Sequence, residues 1–436
     1  MVPEAARSAL SSPSHASTKG SRLFMSGQSK ASPSASRNAA WLSLAHGGGF
    51  IIPLAELPIL ARALGPEGLG LVLFVQAAAL TIAVFIEYGF HYSGARQVAN
   101  AELDGRQLAP IVTAILHAKI VLAAVTLVTL CVVLAIVPAA RQFMEMAPWI
   151  ALMAIALGFT PTWYFLGRSR LVFPTLFDLA IRSIGLLLIF LFIHEPEDAG
   201  LAVKIYVGIG LVNTFVPFAV MMAQTGLARI TREIVIKELF VGFDFFVYKG
   251  SASASASAAS TILGVTTSPR EVGIFGPSEK LVRAANGLVV VVLSAFFPDF
   301  VRRLRADAMD GRRAFERFLL GLVVVTGGGA AVIALLAAPL VEIVFGPGFE
   351  DAKNLLRWMV FLVPLRSASS AMTILWVVPS GHERYASRAN LAALGIIFGA
   401  GFGLAPWLGA PGMGIALAIG EGFLFISLLF LYLRRQ

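Results

Sequence analysis

Lys119, Arg182, Lys249, Lys280, Arg283 and Arg366 stand inside stretches otherwise built from Leu, Val, Ile, Ala, Phe and Gly. A charge held at mid-bilayer costs ~2.5–3.5 kcal/mol on insertion scales, so such a group turns toward a partner or a water-filled hollow. The set is cationic and comes from both halves of the chain. Lys280 and Arg283 are three residues apart and share one face of a helix. Several fixed positive charges in one hollow, away from bulk water, would attract a phosphate or carboxylate strongly. Arginine would grip a diphosphate with two parallel bonds, and lysine would act as a point charge. Glu56, Glu87 and Asp178, also within apolar stretches, are candidates for binding a proton or sodium ion.

A purely structural account of these charges stands beside that one. Asp178 and Arg182 are four residues apart on one helical face and can pair with each other. Glu279 can neutralise Lys280 or Lys249, and Lys119 can pair with Glu87. Glu421 lies in the last apolar stretch.

The elements that must position these residues follow from composition. Of 436 residues 57% are apolar and 14% charged, with a mean hydropathy of +0.81; a soluble chain carries about 25% charged residues. The apolar residues come in blocks of the ~20 residues that cross a bilayer as a helix. The sequence predicts an all-α polytopic membrane protein with about twelve spans, at 39–61, 69–92, 109–137, 148–167, 174–194, 202–225, 234–265, 272–298, 317–345, 355–379, 385–407 and 411–433. Residues 1–38, rich in Ser and Ala, are expected to form a disordered tail with too little apolar surface to offset ordering. Residues 39–225 and 234–433 would form two six-helix lobes, joined by a basic linker at 226–233. A cleft between the lobes is then the natural path for a transported molecule.

Loop charges set the expected orientation. Arg7, Lys19, Arg22, Lys30, Arg37, Arg96, Arg106, Arg168, Arg170, Arg229, Arg232 and Lys237 fall on one side, with the Arg302–Arg317 cluster, Arg384, Arg388, Arg434 and Arg435. The other side holds only Arg62, Arg141, Lys204, Arg270 and Lys353. The positive-inside rule puts the basic side, with both termini, in the cytoplasm of a cell inner membrane. It also accounts for the net charge of +9 without a nucleic-acid partner.

Other chemistry finds little footing. Cys131 is the single cysteine and reads as a small apolar residue. No phosphate-binding glycine loop with its lysine is present, and the histidines lack metal-ligand spacing. The reading is therefore not an enzyme, with no metal and no cofactor. Gly47–Gly49, followed by Pro53 and Pro58, mark the first span as a helix that either breaks or packs closely.

The stretch ILARALGPEGLGLVLFVQAAA (Ile59–Ala79), with EYGF at Glu87–Phe90, resembles the start of polysaccharide-export flippases. Their superfamily (MOP) also contains multidrug/toxin extruders of the MATE type and peptidoglycan-precursor flippases. TPTWYFLGRSRL (Thr160–Leu171) is similar to the fourth-span motif of Wzx-type O-antigen flippases, with Pro161, Trp163, Phe165 and Gly167 on the pattern. Arg168-Ser169-Arg170 replaces the acidic residue usual after that glycine. EVGIFGPSEKLVRAANGL (Glu271–Leu288), FGPGFEDAKNLLRWM and GAPGMGIALAIGEG (Gly409–Gly422) follow in the family's order. The resemblance implies a two-lobed bundle that flips a polyprenyl-diphosphate-linked oligosaccharide, an exopolysaccharide or O-antigen precursor, to the outer leaflet by alternating access. Its partners would be that lipid-linked oligosaccharide, membrane lipids, and the glycan polymerase and export machinery. Two rivals remain: a cation-coupled multidrug antiporter, and a membrane-embedded glycan polymerase or transferase. An anionic hollow would favour the first. The second needs a large external catalytic loop, which the short loops here do not provide.

Overall fold

The structure, a computed structural model, describes residues 33–136, 138–246 and 251–434. Lys249 and most of the expected N-terminal tail lie outside them, while residues 33–38 are already helical. Among the described residues the chain forms fifteen α-helices linked by short turns. In order these are α1 (Pro33–Glu87), α2 (Phe90–Leu103), α3 (Ala109–Ile136), α4 (Ala147–Gly158), α5 (Thr162–Gly167), α6 (Val172–Phe192) and α7 (Ala199–Thr225). Then follow α8 (Arg232–Phe245), α9 (Ser251–Thr266), α10 (Pro269–Ala306), α11 (Ala308–Leu335), α12 (Ala337–Phe345), α13 (Glu350–Met359), α14 (Leu362–Ala371) and α15 (Glu383–Arg434). Their apolar sides face outward, with residues such as Leu187, Phe190, Val325 and Ile426 exposed. A chain that leaves such surface uncovered is a polytopic membrane protein, because only lipid can cover it.

Nine helices among the described residues are long and apolar enough to span, against the twelve expected. Part of the difference lies in two glycines. A straight run of the 52 residues Ile52–Leu103 or Glu383–Arg434 would extend about 78 Å at 1.5 Å per residue. Neither run is straight. Gly65 (φ 63°) and Gly409 (φ 61°) sit in the left-handed region and break them, a conformation that costs glycine nothing. The Gly47–Gly49 run stays helical, so the break falls a dozen or more residues later than the glycine cluster suggested. The seventh expected span is a further reason, since its described residues divide between α8 and α9, and only the short stretch Ser257–Thr266 of α9 stands out as an apolar helix.

The fourth expected span is broken by Pro161. Its nitrogen carries no hydrogen, so the Leu157 carbonyl one turn earlier loses its helical donor. The Thr160 hydroxyl donates to that carbonyl at 2.9 Å, and the Lys119 ammonium donates to the neighbouring Gly158 carbonyl at 2.7 Å.

The turns near Gly65, Pro196, Thr267, Gly346 and Gly409 gather at one end of the molecule. Pro196 lies against Gly68, Gly346 against Arg62, and Glu271 against Gly409. At this end α1 crosses α10 at two glycines that nothing larger could replace. A methyl group on Gly70 would run into the carbonyl oxygen of Pro269, and one on Gly273 into that of Pro66. The contact is reciprocal, and each glycine lies four residues after the proline of its own helix. The crossing thus takes one Pro-x3-Gly unit from each half of the chain.

The buried side chains show how the halves meet. The main apolar cluster draws on α1, α4 and α7 and on α9, α10, α12, α13 and α15 together. Toward the opposite end two smaller clusters stand apart. One is built on Phe90, Ile115, Trp163 and Met221, the other on Phe300, Phe315, Trp376 and Tyr432. The halves are thus fused at the Gly65 end and hold separate cores at the other.

Candidate functional site

A polar hollow of about 730 Å³ is lined wholly by the first half of the chain, from Ile52 to Pro217. Glu56 on α1 enters it with 8% of its surface exposed. The Tyr206 hydroxyl on α7 donates to its carboxylate at 2.7 Å. Opposite, on α6, the Arg182 guanidinium donates to Asp178 at 2.7 Å. The Asn213 amide of α7 donates to the same oxygen at 2.5 Å. The bend at Pro161 gives this hollow its floor, with Thr160 and Pro161 both lining it.

A second hollow of about 110 Å³ lies on the seam between the halves, lined by Gln76 and Leu80 of α1, Ser257 and Ser260 of α9, and Lys280 and Arg283 of α10. Glu279, almost fully buried, accepts from the Arg283 guanidinium. Lys280 forms no ion pair among the described residues, although its charge interacts with the carboxylates of Glu56 and Glu279. Through Glu56, which also interacts with Arg182, the two hollows form one electrostatic neighbourhood.

The six expected cations therefore part company. Arg182, Lys280 and Arg283 approach the hollows, and Lys249 lies outside the described residues. Lys119, 2% exposed, is spent on the Gly158 carbonyl at the end of α4, where a cation also suits the helix dipole. Its charge interacts with Glu87, whose carboxylate accepts from the His91 N–H at 2.8 Å in the first turn of α2. Arg366 on α14 donates to Glu421 on α15 at 2.8 Å, 14% and 16% exposed respectively.

This geometry pairs three of the six cations with acids. Each of the three arginines is held by its own carboxylate: Asp178, Glu279 and Glu421. Burying a guanidinium alone costs several kcal/mol, and an acid one helical turn away, as in two of these pairs, is a local way to offset it. Glu279 goes to Arg283 rather than to Lys280. Among the acids expected to bind an ion, Asp178 is tied by two donors, whereas Glu56 is held by the neutral Tyr206 hydroxyl. Sequence reading missed Tyr206, Asn213 and Gln76, which carry no charge to betray them. Arg168, the departure from the fourth-span motif, donates to Glu102 at 2.5 Å, Tyr164 at 2.7 Å and Gln224 at 2.8 Å. It ties α2, α5 and α7 together at the end remote from Gly65.

Residues 35–303, more than half of the chain, match the family model described as "Polysaccharide biosynthesis protein". The chain belongs to this family. A "Putative O-antigen transporter" of Escherichia coli (strain K12) is 27% identical over 360 residues, covering 82% of this chain and 86% of that protein. A "Putative O-antigen transporter" of Shigella dysenteriae is 23% identical, covering 90% and 98%. Two solved structures share the fold. One is the lipid II flippase MurJ in an inward closed conformation, with a TM-score of 0.64, 13% identity and 89% of this chain covered against 86% of its own. The other is an inward-facing multidrug resistance MATE family transporter of the MOP superfamily, with a TM-score of 0.62, 16% identity, and 88% and 93% covered. The family member described here is accordingly a multi-pass membrane transporter and not an enzyme.

Proposed function

We propose that this protein flips a polyprenyl-diphosphate-linked oligosaccharide from the cytoplasmic to the outer leaflet by alternating access between a lobe of residues 39–225 and one of 234–433. The observation that carries the reading is Lys280, a cation without an ion-pair partner among the described residues, facing a hollow on the seam between the halves. Arg283 beside it can exchange Glu279 for a phosphate oxygen, since both are oxyanions of matching geometry. Similarity to two putative O-antigen transporters supports the substrate class. The basic loops support a cytoplasmic placement of the end opposite Gly65. With separate cores there and a fused core at Gly65, the conformation described is closed toward the outside. Glu56 is the group we assign to ion coupling, because its carboxylate lines the first hollow and no arginine pairs with it among the described residues.

The test is flipping of a fluorescent polyprenyl-diphosphate oligosaccharide in proteoliposomes. Lys280→Gln and Arg283→Gln should each abolish most of the flipping while the protein inserts at normal levels. Wild-type flipping by both variants would remove the seam hollow from the mechanism.

A further inference from the structure

A third hollow lies where α1 and α3 of the first half meet α9 of the second, and it is almost wholly apolar. It measures about 380 Å³ and runs between α1, α3 and α9. Phe74, Ala78, Ile82 and Phe85 line it at helical spacing on α1, and Thr126 and Val133 do so on α3. From Phe74 to Tyr88 the slot extends for about 20 Å along α1 at 1.5 Å per residue. A volume of this size spread over that length makes a slot one hydrocarbon chain wide. Its threonines offer methyl groups, because the hydroxyls of Thr126 and Thr129 donate back to Leu122 and Val125 of their own helix.

Two features separate the slot from an ordinary lipid-facing furrow. Aromatic pairs bound it at both ends: Phe74 stacks on Phe143 with ring centres 3.7 Å apart, and Phe246 packs on both Phe85 and Tyr88. The slot also borders the Lys280 hollow across a thin wall. On α1, Gln76, Ala77 and Leu80 face that hollow, while Ala78, Thr81 and Ile82 face the slot. Three hydroxyls close the seam between α1 and α9. Thr81 donates to Ser257 at 2.8 Å and lies 3.0 Å from Thr261. Thr81 and Thr261 line the slot, and Ser257 lines the Lys280 hollow.

We propose that this slot seats the isoprenoid tail of the transported lipid while its diphosphate occupies the neighbouring Lys280 hollow. The inference rests on the flippase reading and adds a tail site to it. A ligand that is anionic at one end and a long hydrocarbon at the other is what a cation-bearing hollow and an apolar slot, joined at one seam, would recognise together. The Ser/Thr seam is where slot and hollow adjoin, so a molecule spanning both would cross it there.

Binding to the whole protein in phosphatidylcholine nanodiscs tests this with three probes: a long-chain polyprenyl diphosphate, geranyl diphosphate and the long-chain polyprenol. Thr126→Trp fills the slot, and Val128→Trp, on the exposed side of the same helix and outside the slot, is the control. Thr126→Trp should weaken the long-chain diphosphate about tenfold, because several methylenes lose their apolar seat. It should leave geranyl diphosphate unchanged, and Val128→Trp should match wild type throughout. A Thr126→Trp protein that binds the long chain as wild type does, or loses both diphosphates equally, overturns the tail site. If the polyprenol binds wild type as well as its diphosphate does and is weakened by Thr126→Trp, the tail site stands and the diphosphate reading fails.

Photolabelling wild type with a diazirine-bearing polyprenyl diphosphate keeps the question open to decision if Thr126→Trp does not fold. Labels within 74–88 and 122–134 uphold the site, and labels only elsewhere overturn it. A diazirine phosphatidylcholine that labels the slot and is not displaced by the polyprenyl diphosphate overturns it too.

Discussion

Removing Arg366 separates the two roles open to it. Its pair with Glu421 joins α14 to α15, and both side chains are more than four-fifths buried. Arg366→Ala strips the counter-charge and leaves the Glu421 carboxylate in an apolar setting. Breaking such a pair from one side costs about 3–5 kcal/mol, whereas replacing both partners by apolar residues of similar size is close to neutral. At roughly 2 °C per kcal/mol, the low end for a sizeable chain, the single variant should melt about 6–10 °C below wild type. Arg366→Met combined with Glu421→Leu should recover most of that loss, and the double-mutant cycle should show strong coupling between the two positions. The assay is thermal unfolding of the purified protein in detergent, followed by tryptophan fluorescence, with proteoliposome flipping measured on the same preparations. If the double variant melts as low as the single one, the pair is not what holds α14 to α15 and the reasoning fails. If the double variant is stable but cannot flip substrate, Arg366 serves transport as the sequence first suggested.

Two further outcomes are expected. Gly70→Ala and Gly273→Ala should each destabilise the protein by about 1–3 kcal/mol, as overpacking does. They should not add when combined, since both wedge open the same crossing; melting points equal to wild type would deny that crossing its tightness. Lys119→Met leaves the Gly158 carbonyl without its donor and should cost about 1–3 kcal/mol, with the affinity for a polyprenyl diphosphate unchanged. Unaltered melting together with lowered affinity would place Lys119 at the substrate instead.

The sequence made the spanning helices legible wherever a span coincides with one uninterrupted apolar run. The edges expected for α3, α6 and α7 fall within a few residues of those observed. Charge pairing within a helix was half legible. Asp178 with Arg182 follows from their spacing of four, and so does Glu279 with Arg283, yet Lys280, next in sequence, drew the eye. Pairing across helices was not legible. Arg366 and Glu421 are 55 residues apart, and only tertiary packing brings them together. The hollow within the first half was not legible, because its walls depend on a proline bend and on Tyr206 and Asn213. Neither an amide nor a phenol stands out in an apolar stretch as a charge does.

The crossing at Gly70 and Gly273 bears on how a chain of this kind can be assembled at all. Each helix offers the other the same small notch and the same carbonyl, the kind of self-complementary patch through which two identical subunits associate about a twofold axis. A half-length protein with one such turn already possesses everything required to bind its own copy there. Fusing two halves end to end therefore demands no newly invented surface, only a tether.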